Sequence, residues 1–202
     1  MQTSLLIIDD FLNDPDSVRA RALALEYPDQ QGIFPGRNSL QRLQLDGLSE
    51  VVSALVGEPL VAAPPNQSHA KCRITLASDE GLGRVHIDVS NWSGILYLSK
   101  PEDCQGGTEF FRHKRTGWDS FPLDMQEIRK GGFSSFEDAR RVLVEEEGTR
   151  EECWEQSMTV PMRYNRLVLL RPWLWHTAGP GFGDRLENGR LVYLMFFVRP
   201  QG

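Results

Sequence analysis

The chain of 202 residues lacks the marks of several large protein classes. Cysteine is scarce. Cys72, Cys104 and Cys153 are odd in number and scattered, so they build neither a disulfide framework nor a C-x-x-C zinc site. They read as reduced thiols of a cytoplasmic protein. Long apolar runs are missing: a stretch such as Leu191 to Val198 falls well short of the ~20 residues of a membrane span. Met1 to Asp10 has neither a basic start nor a small-residue cleavage site, so no signal peptide is expected. Basic excess is missing too. The 22 Lys and Arg against 28 Asp and Glu leave a net charge of −6, which argues against a nucleic-acid partner. Histidine occurs only four times, at His69, His86, His113 and His176, so the setting of each is informative.

What is present looks like one ordinary globular domain. An apolar content of 40% supports a core, and 202 residues suffice for a single one. Residues 1–66 read as N-terminal support. Leu5 to Ile8 is a short edge strand. Asp14 caps a helix with Pro15 at its first position, and apolar spacing carries it to about Tyr27. A second helix runs from Leu45 to Val56, with Gly57 beyond its end. Residues 67–202 read as a core of short strands: Lys71 to Ala77, Gly83 to Val89, Gly94 to Ser99, Thr108 to Arg112, Gln156 to Met162, Arg166 to Leu170, Leu174 to Thr177 and Arg190 to Arg199. An insertion of about 113–153 interrupts them. Ser134 and Ser135 are placed to cap a helix there, and the charged run Ala139 to Glu147 reads as its solvated face. The expected fold is mainly β with flanking helices (α+β), a distorted double-stranded β-helix of jelly-roll, cupin-like type. A β-sandwich without an internal site is the alternative.

Two segments carry chemistry. His86-Ile87-Asp88 places an imidazole and a carboxylate two positions apart, hence on one face of an extended strand. His176 stands in the apolar stretch Trp173 to Ala178, where a buried imidazole needs a partner. Two His and one Asp form the facial ligand set of a mononuclear non-haem Fe(II) site with open positions. His69 reads as structural or exposed, and His113, among Arg112, Lys114 and Arg115, as a surface residue. Arg190 opens the apolar run Leu191 to Phe197. A guanidinium on a core strand calls for an anion, and arginine binds carboxylates bidentately. Arg185, beside Asp184, reads as half of a surface pair.

Taken together, His86-Ile87-Asp88, Gly106-Gly107-Thr108-Glu109-Phe110, His176 and Asn188-Gly189-Arg190-Leu191 resemble the Fe(II)/2-oxoglutarate-dependent dioxygenases, especially their prolyl-hydroxylase-like branch. The resemblance covers about residues 71–199. The opening Asp9-Asp10-Phe11-Leu12 resembles the lead-in strand and helix of these enzymes. The interval between Asp88 and His176 is longer than in that branch, which the insertion at 113–153 explains. Arginine stands where many prolyl hydroxylases have lysine.

The resemblance implies that His86, Asp88 and His176 hold Fe(II) and that Arg190 pairs with the far carboxylate of 2-oxoglutarate. Tyr97 is implied as a hydrogen-bond donor to that carboxylate, with a core tyrosine as the other reading. Arg73 is implied at the carboxylate of cosubstrate or substrate, with a plain rim arginine as the other reading. Dioxygen is the second cosubstrate and ascorbate a candidate stimulant. The reaction implied is hydroxylation, desaturation or ring closure at a C–H bond of a small molecule, such as an amino acid, free or carried on a peptide or carrier protein. Asp88 speaks against halogenation, since the halogenases of this superfamily lack the carboxylate. Phe34, Trp92, Trp118, Trp173 and Trp175 are aromatic candidates for pocket or core, and the insertion is a candidate lid. A cupin-like metal enzyme independent of 2-oxoglutarate, a zinc hydrolase using the same ligands, and a non-catalytic jelly-roll module are the competing readings. A monomer or homodimer is expected, with no nucleic-acid or membrane partner.

Overall fold

The longest strand, β10 (Arg190–Val198), organises the molecule. In the computed structural model, which describes residues 3–29, 34–81 and 85–200, it lies antiparallel between β5 (Trp92–Tyr97) and β4 (Cys72–Thr75). Beyond β5 come β8 (Leu167–Leu170) and then β1 (Leu5–Ile8) at the sheet edge. Beyond β4 lies the short β2 (Arg37–Asn38), and β3 (Val61–Ala62) pairs with the end of β10. A smaller sheet holds β7 (Trp154–Pro161), β6 (Gly107–His113) and β9 (His176–Ala178).

Period-two alternation along β10 separates two worlds. Leu191, Tyr193, Met195 and Phe197 face outward into a core shared with Cys72, Ile74, Leu96 and Leu169. That core is covered by α1 (Pro15–Leu23) through Ala22 and by α2 (Leu48–Val56) through Val52. On the other face, Val192 joins Tyr97, Val168 and Leu170 against Phe110 and Val160 of the smaller sheet. Arg190, Leu194 and Phe196, also on this face, line a cavity. Register is therefore strongly specified. A slip of one residue would carry Arg190 into the apolar outer core and expose side chains whose burial stabilises by roughly 1.5–3 kcal/mol each.

The insertion forms its own small core on Trp175 and Trp154, with Ile128 of α3 (Met125–Lys130), Ala139 of α4 (Phe136–Arg140) and Leu143. Ser135 caps α4 as expected, its hydroxyl accepting from the Asp138 amide. The charged run continues as a π-helical turn, Arg141–Glu146. Arg140, Arg141, Glu145 and Glu146 are exposed there, while Leu143 and Val144 are buried.

Several expectations are corrected. Helix α1 ends at Leu23, not near Tyr27; Leu25 and Tyr27 pack on the outer core from irregular backbone, and the Tyr27 hydroxyl donates to the Ala22 carbonyl. Helix α3 is too short, with Ile128 its one buried residue, to leave an apolar periodicity in the sequence. The strand expected over 83–89 is, in its described part, a single bridge between His86 and His176; residues 83 and 84 lie outside the described residues. His113 is buried rather than at the surface. Last in β6, it points under the insertion, with Nε2 3.0 Å from Glu147 Oε2, Nδ1 2.9 Å from Thr116 Oγ1 and its ring against Trp154. His69 is structural, its Nδ1 2.7 Å from the Phe196 carbonyl. Among the described residues, no helix is long and apolar enough to cross a membrane.

Candidate metal centre

The segment carrying His86 and Asp88 is held extended by three different partners. The Val85 amide donates to Gly148 O, His86 and His176 exchange amide-to-carbonyl bonds of 3.0 and 3.2 Å, and the Asp88 amide donates to Pro172 O. Extended backbone keeps His86 and Asp88 on one side, and the bridge delivers His176 to the same place. One donor atom from each of the three lies within 4.8 Å of the others. His176 Nε2 is 3.4 Å from Asp88 Oδ2, and His86 Nε2 is 3.7 Å from Asp88 Oδ1.

The surroundings orient these donors. His176 Nδ1 lies 2.7 Å from the Leu174 carbonyl; donating there, it fixes the tautomer that leaves Nε2 bare for a metal. The Ser93 hydroxyl donates to Asp88 Oδ2 at 2.6 Å and meets Ser90 Oγ at 3.1 Å. Burial alone would raise the Asp88 pKa, but His176, His86 and the Ser93 hydroxyl outweigh it and bring it to about 2. Burial presses the His176 pKa down, and Asp88 overcomes that and raises it. A half-buried carboxylate facing two imidazoles fits a divalent cation, which would neutralise the carboxylate and take both bare nitrogens. Removing the Ser93 hydroxyl frees a carboxylate oxygen that is otherwise aimed. Ser93→Ala is expected to weaken Fe(II) binding about tenfold, read by competition with a chelator.

All three donors line a cavity of about 500 Å³, within the range of small-molecule sites. Arg190 lines it as well and is only 2% exposed. Its Nε is fully buried without a partner, and among the described residues no carboxylate forms an ion pair with its guanidinium. Burial lowers its pKa, opposed by the electrostatic pull of Tyr97 and Glu109. Tyr97 sits on the inner face beside Val192, fully buried, its hydroxyl 2.7 Å from Thr108 Oγ1. It is part of the wall behind the cavity rather than of its lining. Arg73 does line the cavity, and its guanidinium donates to the Phe34, Pro35 and Gly36 carbonyls and to Asn38 Oδ1.

That arginine gathers a loop over the metal ligands. The Phe34 ring lies 4.6 Å from the His86 ring. Gly36 allows the approach: it has φ +90°, and a Cβ there would stand 2.4 Å from the Ile74 carbonyl. Of the other aromatic candidates, Trp92 and Trp175 are core, Trp118 and Trp173 pack in the insertion cluster, and only Phe34 reaches the cavity. Arg185 pairs with Asp184 at 3.3 Å, away from the site. Sequence reasoning missed Ser93, Thr108 and the cavity-lining Arg140 and Val144 of the insertion. Ser93 lies five residues from Asp88 across a turn, and no periodicity links them.

A model of a family of unknown function, DUF6445, matches residues 1–197. The chain belongs to that family. No curated protein matches this DUF6445 member. Among solved structures it is similar to HygX from Streptomyces hygroscopicus, solved with nickel, 2-oxoglutarate and hygromycin B bound, at 16% identity and a TM-score of 0.52 over 98% of this chain and 84% of that one. It is also similar to TqaL, an Fe(II)/α-ketoglutarate-dependent dioxygenase, at 12% identity and a TM-score of 0.51 over 99% and 84% of the two chains. At these identities the likeness is one of fold. This DUF6445 chain has the double-stranded β-helix of the Fe(II)/2-oxoglutarate-dependent dioxygenases, as the resemblance implied.

Proposed function

We propose that this chain is an Fe(II)- and 2-oxoglutarate-dependent oxygenase that hydroxylates, desaturates or cyclises a small molecule at a C–H bond. One observation carries the reading: the His86, Asp88 and His176 donors converge in a cavity that also holds a buried guanidinium lacking an anion among the described residues. A jelly-roll core gains nothing from Arg190 unless a carboxylate reaches it, because an uncompensated buried charge is costly.

His86, Asp88 and His176 would hold the metal, and Arg190 would take the distal carboxylate of 2-oxoglutarate. Bound there, iron with 2-oxoglutarate and dioxygen supplies the oxidation of an unreactive C–H bond, with succinate and carbon dioxide as coproducts. The chain's own part is placement. Leu174 fixes the His176 tautomer, Ser93 aims Asp88, and Tyr97 with Thr108 backs the wall near Arg190. Phe34 and Val144 line apolar parts of the cavity that a substrate would dry. The cavity volume suits a small molecule, and we take an amino acid, free or borne on a peptide or carrier protein, as the substrate type. HygX, of the same fold, was crystallised with hygromycin B, itself a small molecule.

The test needs no known substrate. Fe(II) and 2-oxoglutarate added without oxygen are expected to give a weak visible absorption band. Air then yields succinate slowly, with ascorbate prolonging turnover. Zinc in place of iron gives neither. Iron binding with no band and no succinate would overturn the proposal in favour of a metal site that does not use 2-oxoglutarate.

A further inference from the structure

We propose that the substrate of this site carries its own anion, a carboxylate on an otherwise apolar body, and that Arg73 receives it. The inference rests on the oxygenase reading and adds the chemical class of the substrate. It begins from the charges that line the cavity. Among the described residues, Asp88, Arg73, Arg140 and Arg190 are the full charges there, besides the two imidazoles. A divalent metal, a dicarboxylate cosubstrate, Asp88 and Arg190 cancel among themselves. Arg140 is exposed and already pairs with Glu145 at 3.1 Å. Arg73 is left over.

Arg73 is held but not neutralised. Its Nη1 donates to Asn38 Oδ1 at 2.8 Å, and its Nη2 to the Phe34 carbonyl at 2.8 Å and the Gly36 carbonyl at 3.3 Å, with Pro35 O also in reach. These acceptors are neutral. They fix the guanidinium in place and leave its charge intact. Among the described residues no carboxylate forms an ion pair with it; Asp79 acts at longer range and spends Oδ2 on the Leu76 amide. Burial, and then the like charge of Arg190, bring the Arg73 pKa down to about 10. Strand register explains that repulsion. Arg190 stands opposite Thr75 and Arg73 opposite Val192, two steps along the same inner face.

Water screens Arg73 while the cavity is wet. A substrate that fills the cavity removes that water. A neutral one would leave a charge stranded in a dried cavity, whereas a carboxylate would meet a cation already held in place and the N–H groups that the carbonyls and Asn38 leave free. Most of the remaining lining is apolar, with Phe34, Ile87, Val89, Val144 and Phe196 prominent, and Asn66, Gln67, Ser68 and Thr177 supply neutral polar groups. Val89, 78% exposed, stands at the cavity's open side. An amphiphilic acid matches both features.

The experiment uses the Fe(II)-loaded protein saturated with 2-oxoglutarate under anaerobic conditions. Matched pairs are titrated in: N-acyl derivatives of leucine and phenylalanine as acids, and the same compounds as neutral amides. Binding is read by tryptophan fluorescence and by displacement of the visible band. The acids are expected to bind about tenfold or more tighter than the amides, with the difference shrinking as salt rises. Arg73→Gln is expected to erase the preference, and Arg73→Lys to keep part of it. Equal binding of acids and amides, no binding of either at millimolar concentration, or a preference that survives in Arg73→Gln overturns the inference. A large loss of 2-oxoglutarate affinity in Arg73→Gln also overturns it and assigns Arg73 to the cosubstrate. Should Arg73→Gln fail to fold, the salt dependence of the native protein and the Arg73→Lys variant decide. Failure of the oxygenase reading shows earlier and separately, as absence of the band before any probe is added.

Discussion

Arg190→Ala is expected to raise the 2-oxoglutarate concentration needed for half-maximal succinate formation by about 100-fold, which corresponds to roughly 3 kcal/mol. The size follows from burial. Arg190 is 2% exposed, so a carboxylate that reaches it does so out of water, where a two-pronged guanidinium contact is worth far more than a surface ion pair. Maximal turnover should fall less than affinity, since the guanidinium holds a part of the cosubstrate remote from the reacting atoms. Arg190→Lys should recover only part of the loss, because an ammonium offers one compact charge where the site presents a planar fork. Stability should move the other way. Without cosubstrate, Arg190 keeps a buried Nε unpartnered, so the alanine variant should melt no lower than the native protein, and 2-oxoglutarate should protect only the native one. An unchanged half-saturation in Arg190→Ala would remove 2-oxoglutarate from the site and leave a cupin-like metal enzyme.

That pairing of function and strain also marks what the sequence disclosed. The alternation Arg190, Leu191, Val192, Tyr193 on β10 is legible as a strand with one odd residue on its cavity face, and the odd residue is the one proposed to hold the cosubstrate. His86 and Asp88 were legible for the same reason of period two, although the segment is not a ladder strand. Its hydrogen bonds go to Gly148, His176 and Pro172, three partners far apart in the chain, and no local pattern announces such bonding. Asp14, Pro15 and Gly57 announced helix ends correctly, because caps act within a turn. His113 misled. Flanking Arg112, Lys114 and Arg115 suggested solvent, but strand alternation sends His113 inward to Glu147, and that carboxylate lies 34 positions away in the insertion. Ser93 and Val144 escaped notice because a hydroxyl and a methyl group become part of a site only through tertiary placement.

Asp88→Ala is expected to remove nearly all of the stabilisation that a metal confers. Nickel serves as the probe, being inert to air; HygX was crystallised with it. For the native protein, metal at about 1,000 times its dissociation constant adds roughly 4 kcal/mol, and for a chain of this size each kcal/mol moves the melting temperature by about 2–4 °C. A rise of roughly 10 °C is therefore expected. Asp88 supplies the one negative charge of the donor set, and it is aimed by Ser93 and flanked by both imidazoles. Its loss should exceed the 10–100-fold typical of substitutions one shell further out; a loss of about 1,000-fold brings nickel at the same concentration down to its dissociation constant, where it adds only about 0.4 kcal/mol and moves the variant's melting temperature by no more than about 2 °C. The metal-free variant should nonetheless fold. At a pH where both imidazoles are neutral, Asp88 is a half-buried charge held by the Ser93 hydroxyl, and deleting it removes a partly desolvated group along with its contacts. The two effects separate on one instrument: nearly equal melting without metal, a wide gap with it. If Asp88→Ala gains as much from nickel as the native chain does, then His86, Asp88 and His176 do not share an ion, and the oxygenase reading loses its foundation.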